Sequence, residues 1–146
     1  MAKKEFEGKT TRNGTWLELW INDDYIGEVE SFKCEVNITY TDVNKVQTLM
    51  PDYKMTKVDG KVTIKTHKVR DDLQVAILES VRSGKMPVLS IVGKVDDPDT
   101  DGSIRVACNK CYPTKATLMD AEVGKLAEEN IECNLGELPD IPDFVQ

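Results

Sequence analysis

From Phe32 to Tyr40 every second residue is apolar (Phe32, Cys34, Val36, Ile38, Tyr40), and the residues between them are charged or polar. A period of two places those side chains on one face of an extended strand; a helix would repeat its faces about every 3.6 residues. The pattern predicts a long strand over Tyr25 to Tyr40, facing a core with its apolar side. Val29 falls out of phase, which predicts a β-bulge between Gly27 and Phe32. Upstream, Leu17, Leu19 and Ile21 alternate with Trp16, Glu18 and Trp20. Asn22-Asp23-Asp24 is turn chemistry that joins this strand to the long one as a hairpin.

The same alternation predicts strands over Lys61 to Val69, after the Asp59-Gly60 turn, and over Pro87 to Val95. It predicts others over Ile104 to Cys111, Thr114 to Val123 and Asn130 to Leu135. One segment, 71–83, has helical spacing. Leu73, Ala76, Ile77, Ser80 and Val81 form an inward stripe, Asp71 and Gln74 resemble a capping box, and Gly84 suits the residue after the helix. About seven strands and one helix exclude a parallel βαβ plan. The expected class is mainly β, an antiparallel β-sandwich or barrel with one flanking α-helix.

At 146 residues the chain suits a single domain, 1–146. Residues 1–13 are polar and aperiodic and predict a flexible N-terminal arm, and 136–146, with Pro139 and Pro142, an irregular tail. Residues 41–57 hold Pro51 and apolar side chains with no clean period, predicting a long loop or an extended hairpin arm. Those side chains would be poorly accommodated in water on their own.

Hydrophobic residues make up 40% of the chain and charged residues 31%, with no apolar run of the roughly 20 residues a spanning helix needs. Met1-Ala2-Lys3-Lys4 has no apolar stretch behind it, so synthesis in a cytoplasm is expected. There Cys34, Cys108, Cys111 and Cys133 are expected as free, buried thiols. Cys108-Asn109-Lys110-Cys111 is a CxxC, but the other cysteines are single and distant, which favours core packing over zinc. The net charge of −7 disfavours gripping nucleic acid, since phosphate contacts need Lys and Arg.

Asp97-Pro98-Asp99-Thr100-Asp101-Gly102 copies the opening of a calcium loop, but its twelfth position is Cys108 where a bidentate Glu belongs. A solvated hairpin turn is the expected reading. His67 is the only histidine and has no nucleophile or carboxylate arrangement around it in the sequence, so it is read as a surface or interface residue. No catalytic constellation, metal site or cofactor site is expected, and the chain is not read as an enzyme.

Gly14-Thr15-Trp16-Leu17-Glu18-Leu19-Trp20-Ile21-Asn22-Asp23 followed by Gly27-Glu28-Val29-Glu30-Ser31-Phe32 resembles the first hairpin of PBSX-type (XkdM-like) phage tail tube proteins. The resemblance continues through a long loop, Ser83-Gly84-Lys85-Met86-Pro87, the acidic turn Asp96-Asp97-Pro98-Asp99, and Gly102-Ser103-Ile104-Arg105-Val106. It ends on Leu138-Pro139-Asp140-Ile141-Pro142-Asp143-Phe144 and covers roughly residues 12–144. One departure is the presence of Cys108, Cys111 and Cys133 where the family suggests aliphatic residues.

The resemblance implies a self-assembling structural subunit of a virion tail, made in a bacterial host cytoplasm. Homo-hexameric rings would stack into a tube inside a tail sheath protein, enclose a tape-measure protein, and conduct DNA without specific binding or membrane insertion. A bacteriocin or defective prophage tube without DNA is the near alternative. A generic β-sandwich binding module, with 41–57 as its ligand site, is the more distant one. For a tube, Leu49, Met50, Tyr53 and Met55 are the expected inter-subunit contacts. Glu128 and Glu132, on the polar face of the last strand with Asn130 and Asn134, are the expected lumen-facing residues, because a negative lumen would repel phosphate.

Overall fold

The computed structural model describes residues 7–69, 71–100 and 102–141. It contains seven strands: β1 (Leu17–Ile21), β2 (Asp24–Tyr25), β3 (Val29–Val43), β4 (Asp52–His67), β5 (Leu89–Val95), β6 (Ile104–Ala116) and β7 (Glu128–Leu135). One α-helix, α1 (Asp72–Arg82), lies between β4 and β5. All seven strands belong to one antiparallel sheet in the order β2-β1-β5-β6-β7-β4-β3. The mainly β, antiparallel expectation with a single helix therefore holds.

The sheet curls until strands far apart in that order face each other. Phe32 of β3 lies against Gly93 of β5 so closely that a Cβ on Gly93 would stand 2.7 Å from its ring. Cys34 of β3 and Cys108 of β6 bring their sulfurs to 3.6 Å. The space enclosed is the core: Leu19, Ile21, Val62, Ile64, Ile91, Cys108, Cys111, Ile131 and Cys133 are all buried there. Three of its members are cysteines, small enough to fill the narrow interior of a tightly curled sheet.

Local chemistry explains the connections. Asn22 and Asp23 both take positive φ (52° and 69°), as a two-residue hairpin between β1 and β2 requires, and the Asn22 side chain accepts from the Ser90 N–H at 3.0 Å. The β3–β4 register shifts between Val29 and Ser31, where the out-of-phase Val29 predicts a bulge. Gly84, at φ 76°, ends α1 with its N–H on the Val81 carbonyl, while Lys85 reaches back to Ser80.

Several expectations change. Ile104 to Cys111 and Thr114 to Val123 are not two strands: β6 runs unbroken to Ala116, and 117–127 is irregular. Pro113 sits inside β6 beside a register shift between Pro113 and Lys115, where a bulge accommodates a residue that cannot donate to the ladder. Asp71 makes no side-chain cap, and Gln74 instead turns inward to donate to the buried carboxylate of Glu129. Gln74 and Ile77 are buried while Ala76 and Val81 remain exposed, so the inward face of the helix is offset from the expected stripe. Asp97 is buried, not solvated: its carboxylate accepts from the N–H groups of Asn13 and Asp99, each at 2.9 Å. It ties the N-terminal segment to the β5–β6 turn. Near the other terminus, Asp140 exchanges two backbone hydrogen bonds with Ala107 of β6. The Pro142 and Phe144 positions of the resemblance lie outside the described residues, as does Asp101.

Candidate assembly surface

The strands of the β3–β4 hairpin are far longer than the core they help to build. At its base Phe32 pairs with Ile64 and Cys34 with Val62, and these side chains meet the interior. Beyond Gly60 the same two strands continue outward without pairing to any other strand among the described residues, and within 41–57 only 44–51 is left outside strands. The extended hairpin arm is thus the form this segment takes.

The apolar face of the base continues up the arm. Val36, Ile38 and Tyr40 are in phase with Phe32 and Cys34, yet their exposure climbs from 41% to 48% to 57%. The strict period of two in β3 makes all five look like core, and the structure moves three of them to the surface. Val58 stands opposite Ile38 on the same face.

A second register shift controls the distal half. Thr39 pairs with Lys57, but Tyr40 pairs with Met55, so Thr56 is the extra residue of a bulge. An unbroken ladder would send Met55 and Tyr53 to the opposite face. The bulge instead holds Met55 opposite Tyr40 and Tyr53 opposite Asp42, in line with Val36, Ile38 and Val58. Thr56 spends its hydroxyl on the arm itself, within 3.1 Å of the Thr41 hydroxyl. Leu49 and Met50 lie in the connecting segment, both exposed, and Val46 joins them. Of the expected contact residues, Tyr53 and Met55 belong to this stripe, while Leu49 and Met50 crown the tip. Sequence reasoning missed Val36, Ile38, Tyr40 and Val58. The signal available was strand length, since a run this long outreaches a core built by a 146-residue chain.

Glu128 and Glu132 sit on the face of β7 opposite the core, alternating with buried Glu129, Ile131 and Cys133. Each has a lysine of β4 beside it: Lys65 Nζ at 3.1 Å from Glu128 and Lys61 Nζ at 3.9 Å from Glu132. The hydrogen bond from Lys65 holds the Glu128 carboxyl below the usual carboxylate range. This polar face is therefore a mixed lattice of charges. Glu129, by contrast, points inward, bonded to Lys68 and Gln74 beneath α1.

All four cysteines are free thiols, three of them buried and Cys34 partly so. Burial pushes the thiols of Cys34 and Cys133 up to about 12, and a hydrogen bond with Cys111 together with burial raises that of Cys108 as well. Thiols so disfavoured as thiolates are poor nucleophiles. No helix among the described residues is long and apolar enough to cross a membrane.

The fold recurs in solved structures of tubular particles. A chain of the structure titled "Cryo-EM structure of the anti-feeding prophage cap (AFP tube terminating cap)" superposes with TM-score 0.73 at 8% identity, covering 94% of this chain and 96% of that one. One from the sheath-tube complex of an extracellular contractile injection system gives 0.72 at 8% identity, covering 92% and 94%. One from the virion of a native gene transfer agent particle gives 0.63 at 12% identity, covering 90% and 98%. At such identities the likeness establishes the fold alone. No curated protein matches in sequence. The family described as "Phage tail tube protein" matches residues 4–138, nearly the whole chain, and the protein belongs to that family.

Proposed function

We propose that this tail tube protein polymerises as hexameric rings stacked into a hollow tube, with the β3–β4 arm of each subunit laid against its neighbours. The observation that carries this reading is the apolar stripe of Val36, Ile38, Tyr40, Val58, Met55 and Tyr53, which prolongs the core face into solvent. Covering such surface contributes about 25 cal/mol per Å². A ring is a head-to-tail interface that closes, and the two edges of an open sheet, here β2 and β3, are material for it. Six-fold symmetry is supported by a similar chain in a gene transfer agent tail refined with C6 symmetry. A sheath partner is supported by the similar chain in a sheath-tube complex.

The role is mechanical, with no chemistry asked of any side chain. A tape-measure protein before ejection and DNA during it are the expected contents, with Glu128 and Glu132 facing the lumen. Their lysine neighbours temper the negative charge that would repel phosphate, leaving a surface that is polar and of mixed sign. An injection-type tube that carries no DNA is the second reading, favoured by the likeness to the contractile injection system and anti-feeding prophage chains.

Electron microscopy of the purified chain tests the proposal. Rings or hollow rods are expected, and a monodisperse monomer at high concentration overturns it. Replacing residues 37–59 by a two-residue turn between Val36 and Gly60 removes Ile38, Tyr40, Tyr53, Met55 and Val58 with the tip and should leave a folded chain that forms neither, whereas tubes from that variant would remove the arm from the account.

A further inference from the structure

The rim of the sheet farthest from the arm carries a cluster with a different chemistry. Glu30, His67 and Glu128 come from three neighbouring strands, β3, β4 and β7, and each offers a ligand atom within 4.8 Å of the others. His67 is directly opposite Glu128 in the β4–β7 ladder, and both lie on the face away from the core. Glu30 reaches the same place because it is the unpaired residue of the bulge between Val29 and Ser31. The backbone there is anchored, with the His67 N–H donating to the Glu28 carbonyl at 3.0 Å. His67 and Glu128 also open onto a recess of ≈ 520 Å³, lined by Asp120 and Glu122 of the 117–127 segment among others.

We propose that Glu30, His67 and Glu128 form a binding site for a divalent transition cation of the Zn²⁺ and Co²⁺ class. One imidazole and two carboxylates are a ligand set these ions accept, with metal–ligand bonds of about 2.0–2.2 Å. Two ligands of a tetrahedral ion with such bonds lie about 3.4 Å apart, so closing the cluster asks the side chains of exposed Glu30 and of Glu128 to change rotamer. The recess has room for water in the remaining coordination positions. Lys65, whose Nζ lies 3.1 Å from Glu128 Oε2, competes for that carboxylate and would be displaced on binding. Magnesium and calcium fit less well, because they take oxygen ligands. A bound ion would clip the first residues of β3 to β4 and β7 at the end where the ladder begins.

Cobalt titration of the whole chain, followed by visible absorption, distinguishes this site from the cysteines. The expected result is weak d–d bands that saturate at one ion per chain, with no thiolate-to-cobalt charge-transfer band. His67 is the only imidazole, so H67A should weaken binding by about tenfold or more, and E128Q should weaken it likewise. K65M removes the competing ammonium and should tighten binding, an outcome that no misfolded variant would mimic. A thiolate band, affinity unchanged in H67A, weaker binding by K65M, or no saturable binding each overturns the assignment.

Discussion

Tyr40 faces Met55 across the arm although its neighbour Thr39 faces Lys57, and the residue skipped between them is Thr56. That single extra residue decides which face of the arm is apolar over its distal half. Met55 is 57% exposed, so Met55→Lys removes nothing from the core, and its effect on folding stability should stay within about ±0.5 kcal/mol. If the stripe is the contact surface, the same substitution buries an unpaired ammonium in every interface. Thermal melts should overlay those of the parent while electron micrographs lose rings and rods.

Glu129 and Gln74 form a buried polar pair under α1. Glu129→Leu leaves the Gln74 amide without an acceptor and should cost about 1–3 kcal/mol in urea denaturation. Gln74→Leu combined with Glu129→Leu removes the stranded amide, while Lys68 keeps Asp71 as its partner, and should recover part of that loss. Additive losses in the double variant would show that the pair is not a coupled unit.

Asp97 holds the N-terminal segment through Asn13 and its own turn through Asp99. Asp97→Ala strands two N–H groups in a part-buried place, for an expected loss of about 1–3 kcal/mol. Amide exchange should accelerate at Asn13 and Asp99 specifically. Because its carboxylate is engaged with backbone donors, millimolar calcium should leave the melting temperature of the parent unchanged.

Burial of Cys34 and Cys133 predicts a loss of stability at alkaline pH. Cys34 and Cys133 have thiols raised from 9.0 to about 12 in the folded chain, so between these values the unfolded chain has lost protons that the folded one keeps. Their contribution is full below pH 9 and is lost as pH rises towards 12. The urea midpoint should fall steadily above pH 9. Thiol-specific reagents at pH 8 should titrate these cysteines only after denaturant is added.

Much of the fold was legible from residue order. Alternation marked most of the strands, the displaced Val29 marked a bulge, and Gly84 marked the end of α1, whereas the turn at Asn22-Asp23 returns only Asp24–Tyr25 to β1 and the long strand expected there pairs with β4 at the other edge of the sheet. These are local matters of backbone sterics and periodicity, which a strand or helix carries wherever it sits. The break expected between Cys111 and Thr114 is absent, because a register shift against β7 accommodates Pro113 inside β6.

The expected antiparallel β class with one helix, and with it the tube resemblance, came from sequence alone, and the family match agrees. What only the tertiary structure decided is where the core stops. Phe32 and Ile38 carry the same signal in β3, yet Phe32 meets Gly93 inside the curled sheet while Ile38 stands in solvent. Periodicity tells which side chains share a face, because that follows from the geometry of one strand. Whether anything lies opposite that face depends on how far the other strands reach, and no single strand encodes it.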